Sequence, residues 1–533
     1  MEEAVEICKL RLFLKLVAQI ERVQDIEPLP DIDFNIRVGN TLVGFSSLEE
    51  VRAAAEREST GQSRLVFGEI EAHIKRIEED AEISGRAFRE FQDMQTERGI
   101  SPKKFSATKG DLRSRLKKLT GELDRFLEKE YRSRKAELFD KTNFSRKKKS
   151  GDSLEEWRKS HRPFHWLAEF YGILNMGGFD VIIGNPPYVE YSKTKGDYTI
   201  LGYRTEECGN LFAYVWERSI VLANSFGRIG LIIPVASVCT DGYTALRQLW
   251  LSSGDLFVAN FNDRPGKLFD GLEHIRLAIV LLGKYKGTDF RTQITRYNKW
   301  HTEARDHLFH SIRYVDATGL ARSGSIPKIG SALEASVLAK IEASKKELRD
   351  FIVPTGGFRI YYTRKLSGFV QILDFVPSIM DGRGKKREPS EMKVVSVINK
   401  KERDAFLCVL NSSLFFWYIT ILSDCRNLNM REVLEVPFDY SALNQREIDK
   451  IVPLALKLMA DFKKNSKVIA MNYKAWGTMN IQCIYPKYSK SIIDEIDDVL
   501  ARHYGFTDEE LDFIINYDIK YRMGQEAEAS NEA

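Results

Sequence analysis

The sequence predicts an α/β protein: a mostly parallel sheet interrupted by a charged helical insert and followed by an α+β region. Three observations predict it. Short apolar, β-branched runs at residues 181–183, 229–234, 256–261 and 275–282 alternate with helical stretches, a pattern that places ligands at strand C-termini. Residues 47–160 are charged and carry apolar side chains at a spacing of three and four. Beyond about residue 287 the strand–helix alternation stops, which marks a new domain.

A chain of 533 residues with 43% hydrophobic content is long enough for about three domains with buried cores. Its apolar runs fall far short of the ~20 residues a membrane span needs, and its acidic N-terminus is no signal peptide, so no membrane partner and a cytoplasmic location are expected. Six scattered cysteines without a short CxxC pair argue against a disulfide framework and a zinc knuckle. A net charge of +4 is too small to prove a nucleic-acid partner, so the placement of basic residues matters more.

Taken in order, residues 2–20 carry Val5, Leu12, Leu16 and Ile20 at helical spacing and predict an amphipathic helix. Residues 34–38 predict a short strand ending in Gly39-Asn40, which equally suits an ordinary Gly-Asn turn. Phe67, Ile70, Ile74 and Ile77, then Leu112, Leu116, Leu119, Leu123 and Phe126, predict two antiparallel helices with a coiled-coil seam. Residues 101–160 hold 19 Lys or Arg against 10 Asp or Glu, densest at Arg146-Lys147-Lys148-Lys149. That surplus suits either a basic arm on DNA phosphates or a solvated helical face. His161 and His165 stand four apart but lack a third metal ligand at the expected offset, so packing is the expected role and no metal site is assigned.

The most informative stretch is Gly178-Phe179-Asp180-Val181-Ile182-Ile183-Gly184-Asn185-Pro186-Pro187-Tyr188. The β-branched run predicts a strand, and Gly184 with two prolines forbids its continuation. Both prolines fix φ and lack N–H groups, so rigid carbonyls flank the Asn185 amide and the Tyr188 ring. A planar amine fits such a loop: the Asn185 oxygen and the Pro186 carbonyl accept its hydrogens while Tyr188 stacks on its ring. Composition alone would yield such a tetrad roughly once in several hundred chains of this length.

This segment resembles motif IV of amino-methyltransferases that use S-adenosylmethionine, in particular the adenine-specific DNA methylases of type IIG restriction-modification and related phage-defence systems. The resemblance extends to Asn35-Ile36-Arg37-Val38-Gly39-Asn40-Thr41-Leu42, Pro163-Phe164-His165-Trp166, Gly227-Arg228-Ile229-Gly230-Leu231-Ile232-Ile233-Pro234 and Gly505-Phe506-Thr507-Asp508-Glu509-Glu510-Leu511-Asp512-Phe513. It implies a Rossmann-like methyltransferase sheet, with Asn185, Pro186, Pro187 and Tyr188 as the catalytic loop. It further implies S-adenosylmethionine as cofactor, with Asn40, Asn185, Asn210 and Leu211 around it. Phe269 corresponds to an aromatic residue that stacks on the far face of the flipped base, though its position also suits a strand-edge core residue. Lys193 and Lys195 in the loop after Tyr188, Arg264 and Lys267 beside Phe269, and Arg383, Lys385, Lys386 and Arg387 in a later loop are the expected DNA contacts.

The family's glycine-rich cofactor loop and acidic ribose-binding residue have no counterpart in this sequence. The isolated sheet is therefore expected to be incomplete and poorly stable, with Met1 as an internal methionine of a longer or split gene and an upstream polypeptide as a partner beside double-stranded DNA. The expected domains are an N-terminal methyltransferase part at 1–46, the helical insert at 47–160, the catalytic part at 161–286, a target-recognition α+β domain at 287–440, C-terminal helices at 441–524 and a disordered tail at 525–533. Two other readings stay open: a catalytically incomplete DNA-binding or specificity subunit, and an amino-methyltransferase acting on RNA or protein glutamine.

Overall fold

In a computed structural model of the chain, the described residues are 2–22, 32–58, 64–96, 101–142, 153–269, 271–272, 274–322, 324–366, 368–474 and 476–523. The Arg146-Lys147-Lys148-Lys149 run and the tail from residue 524 lie outside them. The chain divides into two compact units, the first comprising residues 1–233, 242–256 and 280–290, the second residues 234–241, 257–279 and 291–533.

The sheet consists of β1 (Phe179–Gly184), β2 (Ala223–Pro234), β3 (Asp255–Phe261), β4 (Leu277–Gly283), β5 (Thr292–Asn298) and β6 (Val315–Asp316), in the order β1-β2-β4-β3-β5-β6. It is mixed: β1 pairs parallel with β2, and β5 pairs antiparallel with β6. The first unit holds β1, most of β2, the first two residues of β3 and the C-terminal half of β4; the second holds the rest. Gly178 opens β1 at φ +114°, and a Cβ there would stand 2.4 Å from the Leu222 carbonyl oxygen. Only glycine allows the strand to start this close to its neighbour.

In the first unit α1 (Glu2–Val17) leaves Ile7, Leu10, Phe13 and Leu14 exposed. It is followed by α2 (Leu48–Glu58), the long α3 (Arg64–Thr96) and α4 (Pro102–Thr142), and α5 (Leu154–His161). Helices α3 and α4 run antiparallel: Phe91 meets Phe105, Asp80 meets Lys118 and His73 meets Phe126. Ile74, Ile77, Leu112, Leu116, Leu119 and Leu123 are buried, as the sequence spacing predicts. The side chains of Phe67 and Ile70 lie outside the described ones.

The expected strand at 34–38 is absent. Asn35 and Ile36 both donate backbone N–H groups to the Ile32 carbonyl, forming a turn. Phe34 is buried against Phe88 and Phe91 of α3, so the aromatic side chain is spent on the helical hairpin and the segment never extends. Asn40 instead makes an isolated parallel bridge to Pro163.

The hairpin shares an apolar core with the rest of the unit and is further tied to it through one buried carboxylate. Asp124 on α4 accepts from Arg158 Nε at 2.6 Å and lies 3.1 Å from His165 Nε2. His165 Nδ1 accepts the Phe45 N–H at 3.2 Å, so the ring carries its proton on Nε2 and donates it to Asp124. His161 goes elsewhere: its ring stacks on Trp157 and its Nε2 accepts from the Thr199 N–H.

The second unit adds a four-stranded sheet of β7 (Ile352–Val353), β8 (Phe358–Thr363), β9 (Ile372–Leu373) and β11 (Met392–Val397), in the order β7-β11-β8-β9. A three-stranded sheet of β10 (Ile379–Asp381), β12 (Lys467–Tyr473) and β13 (Gly477–Cys483) has the order β10-β13-β12. The apolar stretch around residues 400–422 forms two helices, Lys400–Asn411 and Ser413–Leu422, because Ser412 caps the second by accepting from the Phe415 N–H. The helix Lys490–Tyr504 ends on Gly505 at φ +69°, and Thr507 with Glu510 forms the expected capping box. Among the described residues no single helix is long and apolar enough to cross a membrane.

Replacing Asp124 by Ala removes the acceptor of Arg158 Nε and leaves the buried His165 N–H without a partner. The expected cost is about 3 kcal/mol, read as a drop in the urea midpoint; an unchanged midpoint would mean that the carboxylate ties nothing down.

Candidate active site

Strand β1 ends at Gly184, and Asn185-Pro186-Pro187-Tyr188 follows directly at its C-terminal end. β1 is the outermost strand of its sheet, hydrogen-bonded to β2 on one side, and no strand among the described residues pairs with its other edge. Val181 is 64% and Ile183 84% exposed. A strand of this composition normally lies inside a sheet.

The tetrad is held from the β2 side. The Tyr188 hydroxyl lies 2.7 Å from Asn185 Oδ1 and 3.0 Å from the Ile232 carbonyl oxygen, two acceptors for its one proton. Burial pushes the phenol up to about 12, so it remains a donor at neutral pH. The Asn185 side chain is thereby oriented from within its own loop, while the residue stays exposed and its oxygen keeps a second lone pair. Pro186 is buried and Pro187 exposed, as expected of a loop anchored by one proline. Phe212 meets the Tyr188 ring edge-on at 6.4 Å, and Tyr243 stacks on Phe212 at 5.1 Å.

Residues far from the tetrad in sequence converge behind it. Leu211 donates its N–H to the Val189 carbonyl, Tyr191 donates to the Gly209 carbonyl, and Glu190 bridges Asn210. Asn210 is the N-cap of α6 (Leu211–Leu222), yet its side chain makes no capping bond. Its Oδ1 is buried without a hydrogen-bond donor. An acceptor left in that state is costly unless a ligand or water supplies the donor.

The turn at Asn40 is joined to residues 162–164 by the Asn40 N–H on the Arg162 carbonyl and the Phe164 N–H on the Val43 carbonyl, each at 2.7 Å. Leu42, Val43 and Phe45 share one core with Tyr191, Leu211 and Tyr214. Buried Arg218 on α6 closes this core. It donates to the Tyr203 hydroxyl, both Glu50 carboxylate oxygens and the Gly44 carbonyl. Sequence reading missed Arg218, Glu50 and Tyr203, since a lone arginine in an apolar helix gives no periodic signal.

The expected site residues thus fall into groups. Asn40, Asn185, Pro186, Pro187, Tyr188, Asn210 and Leu211 all lie in the first unit, around this core. Lys193 and Lys195 are exposed on the loop after Tyr188, with Lys193 3.6 Å from Glu190. In the second unit Phe269 is half-buried in a bend after β3, Arg264 is exposed and lies 3.3 Å from His274 Nδ1, and Lys267 is half-buried. Arg383, Lys385 and Lys386 are exposed on the turn after β10. Arg387 is partly spent on structure, its Nε donating to Asp381 at 3.0 Å.

For a nucleoside-type sulfonium cofactor, the chain offers acceptors that suit its amine and hydroxyl groups: the orphaned Asn210 Oδ1 and the exposed Asn185 amide. It offers no glycine-rich turn after a strand.

The Eco57I restriction-modification methylase family matches residues 1–263. A Methanocaldococcus jannaschii protein named as a candidate type II restriction enzyme and methyltransferase is 29% identical over 266 residues, 46% of this chain and 22% of that protein. The chain therefore spans about a fifth of the length of this curated relative. Among solved structures, the type IIL restriction-modification enzyme MmeI in complex with DNA aligns with 64% of this chain and 57% of its own, at 11% identity and a TM-score of 0.34. The type IIG restriction endonuclease BpuSI aligns with 67% and 58%, at 9% identity and a TM-score of 0.24. The residues that match the Eco57I restriction-modification methylase family, 1–263, contain the tetrad and the segments packed around it.

Proposed function

We propose that the chain is the methyltransferase part of a restriction-modification system, and that it directs a methyl group to the exocyclic amine of a flipped adenine in duplex DNA. The observation that carries this reading is the locked tetrad: Tyr188 holds Asn185 Oδ1 from one side while the amide remains exposed to a substrate. The match of residues 1–263 to a restriction-modification methylase family supports DNA as substrate; adenine, the cofactor and base flipping are part of the proposal.

In this mechanism Asn185 Oδ1 and the Pro186 carbonyl accept the two amine hydrogens of the extruded base. Those bonds draw the amine nitrogen out of conjugation with the ring and aim its lone pair, so orientation carries most of the rate. Tyr188 supplies a flat face for the base, recovering part of the few kcal/mol spent on extrusion. S-adenosylmethionine, when bound, supplies an electrophilic methyl group, and Asn40, Asn185, Asn210 and Leu211 are the residues that would hold it. As the amine becomes cationic it gives up one proton through the Asn185–Pro186 acceptor pair to solvent.

The open edge of β1, with Val181 and Ile183 exposed, supports a partner polypeptide that extends the sheet and brings the glycine-rich cofactor loop. The same edge favours the second reading, a DNA-binding subunit inactive by itself. Calorimetric titration of S-adenosylmethionine into the purified chain separates the two. Micromolar binding supports the autonomous enzyme, and absence of heat from a folded, DNA-binding sample supports the incomplete one.

With labelled cofactor, and with the partner present if one is needed, Asn185→Ala should lower methyl transfer by about 10²- to 10³-fold and leave duplex affinity nearly unchanged. Full transfer in that variant would remove the tetrad from the mechanism, and mass analysis of the nucleosides would show whether the product is an N6-methylated adenine. Tyr188→Phe keeps the ring and deletes the hydroxyl tie. Its transfer rate should fall about five- to tenfold with product identity preserved, whereas a wild-type rate would show that Asn185 needs no support from the phenol.

A further inference from the structure

Between Asp461 and Asp494 the chain has six lysines and no acidic residue. This stretch contains the β12–β13 ribbon, which the sequence reading did not foresee within a helical region. Its register is Lys467 opposite Cys483, Val468 opposite Gln482, Ile469 opposite Ile481, Ala470 opposite Asn480, Met471 opposite Met479 and Asn472 opposite Thr478. Residues directly opposite share a face, so the two faces can be read off.

One face carries Ile469, Ile481 and Met479, buried or half-buried, with Lys467, Met471 and Tyr473 exposed around them. The other carries Val468, Ala470, Asn472, Thr478 and Asn480, all exposed, with half-buried Gln482 opposite Val468 and exposed Lys474 in the turn that follows Tyr473. On β10, Met380 stands opposite Asn480, and Lys386 bridges Met380 in turn. Lys386, Met380, Asn480 and Ala470 therefore form one row across the strands of the exposed face.

The chemistry of this face is specific. Its centre is amide and hydroxyl, with small apolar groups beside them and lysines at two margins. Asp381, the acidic residue of β10, alternates to the opposite face. There its carboxylate accepts from the Arg383 and Lys385 N–H groups and from Arg387, which in turn lies 5.4 Å over the Trp476 ring. The Thr478 hydroxyl donates to Asn472 Oδ1 at 2.6 Å, which orients that amide and turns its NH2 outward. A protein-docking face would be apolar at its centre; a polar centre with cationic margins complements a polyanion.

We propose that this ribbon face reads duplex DNA from the major groove. The proposal rests on the reading of DNA as the substrate. The groove is about 12 Å wide and admits a two-stranded ribbon, and seven residues at about 3.3 Å each span some 23 Å of it. Asn480 and Asn472 face the base edges, where a side-chain amide pairs with adenine N6 and N7. Val468 and Ala470 suit a thymine methyl group. Lys386 and Lys474 take phosphates at the groove walls.

The test is selection of bound duplexes from a random library by the full chain, together with its partner if the sheet requires one, combined with titrations across salt concentration. Asn480→Ala and Asn472→Ala should each relax preference at one or two adjacent base pairs, with a five- to hundredfold loss of discrimination, and leave the salt slope unchanged. Lys386→Gln and Lys474→Gln should each reduce the slope of log affinity against log salt by about one with the preferred sequence intact. All four side chains are exposed, so the urea midpoint should not move. If the unaltered chain selects a sequence and all four variants select it with the same salt slope, the ribbon is not the reader, while DNA as substrate stands. If the unaltered chain binds no duplex, the reading of DNA as substrate falls first and the ribbon proposal with it.

Discussion

A strand at the edge of a sheet has hydrogen bonds on one side only, and β1, which carries the tetrad, is such a strand. Everything that fixes the loop must therefore come from β2 or from side chains packed behind it. The structure uses both. Backbone pairing runs in parallel register from Val181 to Gly184 against Arg228 to Leu231, and the Ile232 carbonyl, one residue further along β2, receives the Tyr188 hydroxyl. The loop is thus an extension of the strand pairing into side-chain hydrogen bonding. Rigidity of this kind suits a site whose chemistry depends on orientation.

The second consequence of the edge position is a reliance on buried polar ties. The segment from Asn40 to Glu50 forms no strand, so its backbone groups need other partners. Arg218 supplies three N–H directions at once to Glu50, Tyr203 and Gly44, and burial raises the Tyr203 phenol to about 12, keeping it protonated. Asp124, His165 and Phe45 make a second tie from the helical hairpin. Each link matches a donor to an acceptor, the condition under which burying a charge is tolerable. Gly44, at φ +150° with space for no Cβ against the Phe164 carbonyl, lets the chain pass between the two.

Satisfied ties of this sort make the exceptions informative. Asn210 Oδ1 caps a helix without capping it and faces no donor, while its neighbours 209 and 211 are fully bonded to the chain after the tetrad. The backbone there is settled while one side-chain acceptor is left without a donor. In the second unit the contrast lies between two faces of one ribbon, where one face holds Ile469, Ile481 and Met479, buried or half-buried, and the other the exposed amides Asn472 and Asn480.

By itself the sequence determined the elements whose signal is local. The β-branched run stopped by Gly184 and two prolines, the 3–4 apolar spacing of the helical hairpin, the Thr507 and Glu510 capping box and the Gly505 stop each depend on neighbours within a few residues, and each stands where the pattern puts it. Only the tertiary structure decided the rest. Residues 34–38 have strand-like composition, yet Phe34 gains more by burial between α3 and α4 than the segment could gain from a ladder. The apolar stretch around 400–422 breaks into two helices because Ser412 caps the second. The β12–β13 ribbon, polar on one face and half-buried on the other, shows no apolar run long enough to announce a strand. The bonds that orient Asn185 and isolate Asn210 join residues 188 to 232 and 189 to 211, and contacts of that kind exist only once burial has chosen which distant side chains share a core.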